Sequence, residues 1–167
     1  MSIAKLIKEK KFRDQLIEYA HKHNAWPELR KLALQKEDDD LAWRAMWLLN
    51  HLSPKRKAQL IEKPLEFLER GPLGSESYQR EAFRVLIDLA IDEDDLSTYF
   101  NWAQEAWIQL DHKASLRIHA LRAMERVAKL YPELNQEIIA LSDSEYTESL
   151  SPGIRNQALA IFQSLDN

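Results

Sequence analysis

Leu116-Arg117-Ile118-His119-Ala120-Leu121-Arg122-Ala123-Met124-Glu125-Arg126-Val127 is the stretch from which the architecture follows. Its apolar residues fall three and four apart, the spacing of one helix face. The same arrangement returns around Ala45, Ala82 and Ala158, so that the four alanines lie 37, 38 and 38 residues apart. Four positions before the alanine stand Leu41, Tyr78, Leu116 and Ile154, and one position after it Met46, Phe83, Leu121 and Leu159. Three after it come Leu48, Val85, Ala123 and Ile161; four after it Leu49, Leu86, Met124 and Phe162; seven after it Leu52, Leu89, Val127 and Leu165. Every one of these positions is apolar, in a chain that is only 45% hydrophobic. Amphipathic helices share the spacing but need not share a period, so the recurrence marks repeated helix pairs.

The rest of the chain also reads as helix. Apolar alternation at period two and Asn-Gly or Asp-Gly hairpin turns are both missing. Helices are expected over 3–10, 11–23, 27–36, 39–52, 54–69, 75–90, 94–111, 113–130, 132–142 and 151–166. Pro64 should split the fifth, and 142–150 should be a polar connection. Leu96, Tyr99, Phe100, Ala103, Ala106, Trp107 and Leu110 form the stripe of one first helix. Pro27, Pro54, Pro132 and Pro152 stand where helices begin, with Ser53-Pro54 and Ser151-Pro152 as cap and first-turn pairs. The acidic runs Glu37–Asp40 and Asp92–Asp95 suit helix starts, where carboxylates meet free N–H groups. They lack the alternation and central glycine of a calcium loop.

Neither helix of a pair can bury its apolar face alone, so successive pairs must stack. The alanine column permits close approach between them. The pattern resembles the HEAT-repeat family of α-solenoids, most clearly at Leu116-Arg117-Ile118-His119-Ala120 and Ile154-Arg155-Asn156-Gln157-Ala158. The arginine after the leading apolar residue is replaced by Ala42 and Gln79 in the first two pairs. The resemblance implies an all-α, right-handed α-α superhelix of about four to five stacked helix pairs. Residues 27–166 would supply four of them and residues 3–23 an atypical capping pair, within one domain spanning 1–167. As a whole the chain resembles small bacterial HEAT-like proteins to which no activity is firmly attached.

At 167 residues and 19.6 kDa the chain can bury a core without staples. It has no Cys and only three Gly, which removes thiolate chemistry, Cys-held metals and Gly-rich phosphate loops. No apolar run reaches the roughly 20 residues of a membrane span, and MSIAKLIKEKKFRDQ does not read as a signal peptide, so a cytoplasmic location is expected. His21 and His23 stand two apart and cannot share a metal on one helix face. With no catalytic constellation in view, a non-enzymatic protein without cofactor or metal is expected. Residues 1–36 hold nine basic and four acidic side chains, against a net charge of −4 for the whole. That charge and a pI near 5.8 argue against duplex DNA as ligand.

The candidate site comes from the polar side of the second helices. Counting about 100° per residue from the alanine, the positions two before and two after it lie opposite the core. They hold Trp43 and Trp47, Arg80 and Arg84, Ile118 and Arg122, and Asn156 and Ala160; a third outward position adds His51, Asp88, Arg126 and Ser164. The HEAT resemblance places such residues on a concave surface. Trp and Arg dominate binding hot spots, and Trp beside Arg of the next repeat would stack as a cation–π pair. Trp43, Trp47, Arg80, Arg84, Arg122 and Arg126 are therefore the expected contacts of a protein or peptide partner. Two alternatives stand beside that scaffold reading. Trp43, Trp47, Arg84, Asp88 and Arg122 loosely imitate the groove of HEAT-like DNA glycosylases. A structural module self-associating near Phe162 and Leu165 is the other. The tryptophans also have a plainer reading, as core residues covered by the N-terminal helices.

Overall fold

Ala45, Ala82, Ala120 and Ala158 are all 0% exposed in the computed structural model of the protein, which describes Met1–Asn167. Of the apolar positions aligned with them, only Ile154, Leu159 and Ile161 escape full burial, all in the last repeat. A residue without side-chain bulk lets neighbouring helix backbones approach, which is why the column is small where the flanking positions are large.

The chain is helical with no strand. Its helices are α1 (Ile3–Lys8), α2 (Arg13–Lys22), α3 (Trp26–Leu34), α4 (Asp39–Leu49), α5 (Pro54–Leu60), α6 (Leu65–Arg70) and α7 (Glu76–Leu86). There follow α8 (Leu96–Ile108), α9 (Ala114–Leu130), α10 (Asn135–Ile139), α11 (Ser144–Thr147) and α12 (Pro152–Asp166). They gather into two compact units, Met1–Ile91 and Asp92–Asn167. In the first, α4 packs against α3, α7 and the α1–α2 hairpin. In the second, α9 packs against α8, α10 and α12.

Helix starts follow the expected chemistry. The side chains of Ser2, Asp38, Ser53 and Ser75 accept the backbone N–H three residues on, satisfying donors that the helix leaves open. Ser151 makes no such side-chain bond, although Pro152 opens its helix as expected. Asp38 is a cap, with Asp39 and Asp40 in the first turn. Its bond from the Leu41 N–H, then Lys8 at 3.0 Å, holds the Asp38 carboxyl below its ordinary pKa. Pro64 does divide the fifth segment, leaving α5 and α6.

Four local expectations change. Leu110 is 44% exposed, because α8 stops at Ile108 and the stripe ends at Trp107. Residues 132–142 break into two 3-10 turns around α10, and the connection 142–150 holds α11. Ile118, placed outward by its angle, is 4% exposed. Phe162 and Leu165 are buried at 5% and 7%, with the Phe162 ring 5.8 Å from that of Trp107, so the last helix does not bare them for self-association.

Three arginines brace the turns between helices. Arg117 is 1% exposed and lies 4.6 Å over the Trp107 ring. It donates to the Trp107 carbonyl (2.8 Å), to Ser149 Oγ (3.3 Å) and to the Tyr146 carbonyl. Burial lowers its pKa. Arg155 donates to the carbonyls of Thr147 (3.1 Å) and Leu150 (3.5 Å). In the first pair, where Ala42 replaces such an arginine, Arg70 reaches across from α6 to brace the α3–α4 turn instead. It is 4% exposed, donates to the Gln35 carbonyl (3.1 Å) and Asp39 (2.8 Å), and lies 4.1 Å over the Tyr78 ring. Tyr78 in turn donates its hydroxyl to the Ala33 carbonyl at 2.6 Å, and burial pushes its pKa well above the ordinary phenol value. In the second unit burial likewise pushes Tyr99 up to about 12.

Candidate partner-binding groove

α4 and α7 carry the pattern that sends Trp43, Trp47, Arg80 and Arg84 away from the alanine column. These four side chains line one cavity of about 440 Å³ in the first unit. That volume is within the range of small binding clefts. The opposite wall comes from the N-terminal hairpin: Ile7 on α1, Lys10 and Lys11 in the turn, and Leu16 on α2. Arg44, Leu48 and Glu81 complete the lining. Ile7, Leu16 and Leu48 are buried and form an apolar floor.

The two readings of the tryptophans meet halfway. Both indoles are half-buried, flanked by the N-terminal helices but not sealed by them. Trp43 donates its N–H to Asp40 Oδ1 at 2.9 Å. Trp47 meets the His51 ring edge-on at 5.1 Å. The cation–π partner of Trp43 is Arg44 of its own helix, at 5.2 Å, rather than an arginine of the next repeat. Trp26, Trp102 and Trp107 are core residues at 4%, 4% and 0% exposure.

Glu81 organises the arginines. It is 1% exposed, and its carboxylate accepts from Arg80 Nε (3.1 Å), Arg84 Nη1 (3.0 Å) and Asn50 Nδ2 (2.9 Å). A buried carboxylate is tolerated when its lone pairs are filled in this way. Asn50 also donates to the Glu81 carbonyl (3.1 Å) and accepts from Lys57 Nζ (3.3 Å). Lys57 is 4% exposed and pairs with Asp88 at 2.5 Å. Asp88 is thus engaged with a lysine of α5.

Arg122 and Arg126 belong to the second unit. Arg122 donates to Gln157 at 2.5 Å, and Arg126 lies 5.9 Å over the Tyr99 ring. Sequence reasoning missed Lys10, Lys11, Arg44 and Glu81. The density of lysine in residues 1–36 was the available signal for the first two. Nothing in the repeat pattern distinguishes Glu81 from a solvated acid.

The HEAT repeat domain family model matches residues 3–165, and the chain belongs to that family. The match includes the N-terminal pair as well as the four later repeats. No curated protein and no solved structure matches the chain. No helix is long and apolar enough to cross a membrane.

Proposed function

We propose that the protein is a non-enzymatic scaffold that holds a protein partner in the groove of its first unit. The observation that carries this reading is the meeting of Trp43, Trp47, Arg80 and Arg84 in one cavity walled by the α1–α2 hairpin. Half-buried Trp presents a large, rigid contact area at small entropic cost, and Trp and Arg are the residues most enriched in binding hot spots. HEAT repeats work through such surfaces, and the family supports a scaffold role. A glycosylase-like role is less well supported, since Asp88 is tied to Lys57 and Glu81 is saturated by Arg80, Arg84 and Asn50. Arg122 and Arg126 are proposed as partner contacts of the second unit, and the cytoplasm as the site of action.

The test places a photoreactive phenylalanine analogue at position 43 in cells, with position 105 as the control, since Glu105 is exposed on α8, a first helix outside the concave positions. A protein adduct formed from position 43 and absent from position 105 is expected. Adducts of equal yield from both positions, or nucleic acid as the adduct, would refute the reading.

A further inference from the structure

We propose that the occupant of this groove is an acidic segment of the partner, bringing carboxylates to the cations and an apolar side chain to the indoles. The inference rests on the partner-binding reading and adds the chemistry of what enters.

Five cations line the cavity, Lys10, Lys11, Arg44, Arg80 and Arg84, against the single carboxylate of Glu81. That carboxylate is already spent on Arg80, Arg84 and Asn50. Arg44 leans on Asp40 at 3.2 Å, and Lys11 reaches Glu9 only at 3.8 Å with both side chains well exposed. The long, exposed Lys11–Glu9 pair stabilises little and yields readily to a better partner. Lys10 has no carboxylate within ion-pair distance. The excess is local, since the first unit holds 17 basic and 14 acidic side chains and the second 6 and 13. An acidic segment is therefore steered to the first unit and turned away from the second.

The backbone singles out Lys10 on the same wall. α1 ends in a Schellman motif: the Lys11 N–H bonds to the Leu6 carbonyl (3.3 Å) and the Lys10 N–H to that of Ile7 (3.0 Å). Lys10 occupies the left-handed position at φ 55°, where glycine is the usual residue. α2 ends the same way, but there the residue at φ 48° is Asn24, which tolerates the conformation. A lysine at the α1 position lowers stability and sets an ammonium on the groove wall. That is the pattern of strain held at a functional position.

Trp43 and Trp47 over the floor of Ile7, Leu16 and Leu48 give the segment an apolar anchor. A simple anion would leave that surface unused. A polynucleotide would meet the acidic excess of the rest of the chain.

Fluorescence anisotropy with the full chain tests the proposal using three labelled probes. One is a short Glu-rich peptide carrying a single Trp, the second its Gln counterpart, and the third an oligo-dT of equal charge. The acidic peptide is expected to bind at least about tenfold more tightly than the Gln peptide, weakening as salt rises. Lys10→Gly should weaken it by about threefold or more while Tm holds or rises, because glycine relieves the left-handed strain. Lys11→Gln should weaken it similarly without moving Tm. Equal binding of the acidic and Gln peptides, tighter binding of oligo-dT, or unchanged affinity in both lysine variants would overturn the proposal. Failure of the acidic peptide alongside a protein adduct from position 43 would sink the acidic occupant and leave the groove as a binding face.

Discussion

Replacing Arg117 with methionine removes a guanidinium that is 1% exposed while roughly keeping its stem volume. Hydrogen bonds from a charged donor are worth about 1.5–3 kcal/mol each, and Arg117 makes three. The full sum does not apply. Ser149 is exposed and Tyr146 half-exposed, so water replaces the arginine at those acceptors. The carbonyl of the wholly buried Trp107 has no such recourse, and leaving it unpaired costs about 1–3 kcal/mol. Loss of the guanidinium over the Trp107 ring adds about 1–2 kcal/mol, and release of a desolvated charge returns part of the total. The expected net loss is about 2–3 kcal/mol, read by urea denaturation followed through helical circular dichroism. A Tm lower by about 4–12 °C should accompany it. Arg117→Lys should fail nearly as badly, because an ammonium carries the charge without the fork that spans separate acceptors. A methionine variant within about 0.5 kcal/mol of the parent, or a lysine variant equal to it, would refute the bracing role.

Two further outcomes are expected. Gly74→Ala would bring a methyl group to 2.4 Å from Tyr78 Cδ1, against a ring that is fully buried and tied to Ala33 and Arg70. A loss of about 1–3 kcal/mol should follow, and a Tm shift below about 1 °C would mean that the ring yields. The second concerns acid. Asp38 is held low by the Leu41 N–H and Lys8; for Asp39, bonds from Ser75 and Arg70 outweigh a burial effect that pushes upward. The stability these carboxyls contribute is complete above the unfolded carboxylate range and drains as pH falls through their lowered folded values. Tm should therefore drop on acidification below about pH 4, and Asp39→Asn should flatten that slope. An unchanged slope in the variant would remove Asp39 from the account.

The alanine column was legible because it combines two independent regularities, a helical spacing and a period near 38 residues. Its burial follows almost completely. Local breaks were less legible, since they depend on which residue a turn can accept. Pro132 starts a 3-10 turn instead of a long helix, and α5 ends at Leu60, before Pro64 demands it. The groove was half legible. Trp43, Trp47, Arg80 and Arg84 share an outward angle that one helix turn predicts. Their opposite wall comes from a hairpin that lies before the alanine column begins, and its placement depends on a left-handed residue at Lys10 that no periodicity announces. Arg70 was invisible for the same reason: it does the work of the missing repeat arginine from a different helix.

Asn50 uses both ends of its amide, donating toward Glu81 and accepting from Lys57. That arrangement fixes which way the amide faces, because a turned group would aim oxygen at oxygen and nitrogen at ammonium. It also makes the neutrality of this side chain a condition of the cluster. Hydrolysis of this one amide would leave a carboxylate facing the buried carboxylate that positions Arg80 and Arg84, with two acceptors where a donor had joined them. The groove arginines would then lose their alignment through a change at a residue outside the lining of the groove.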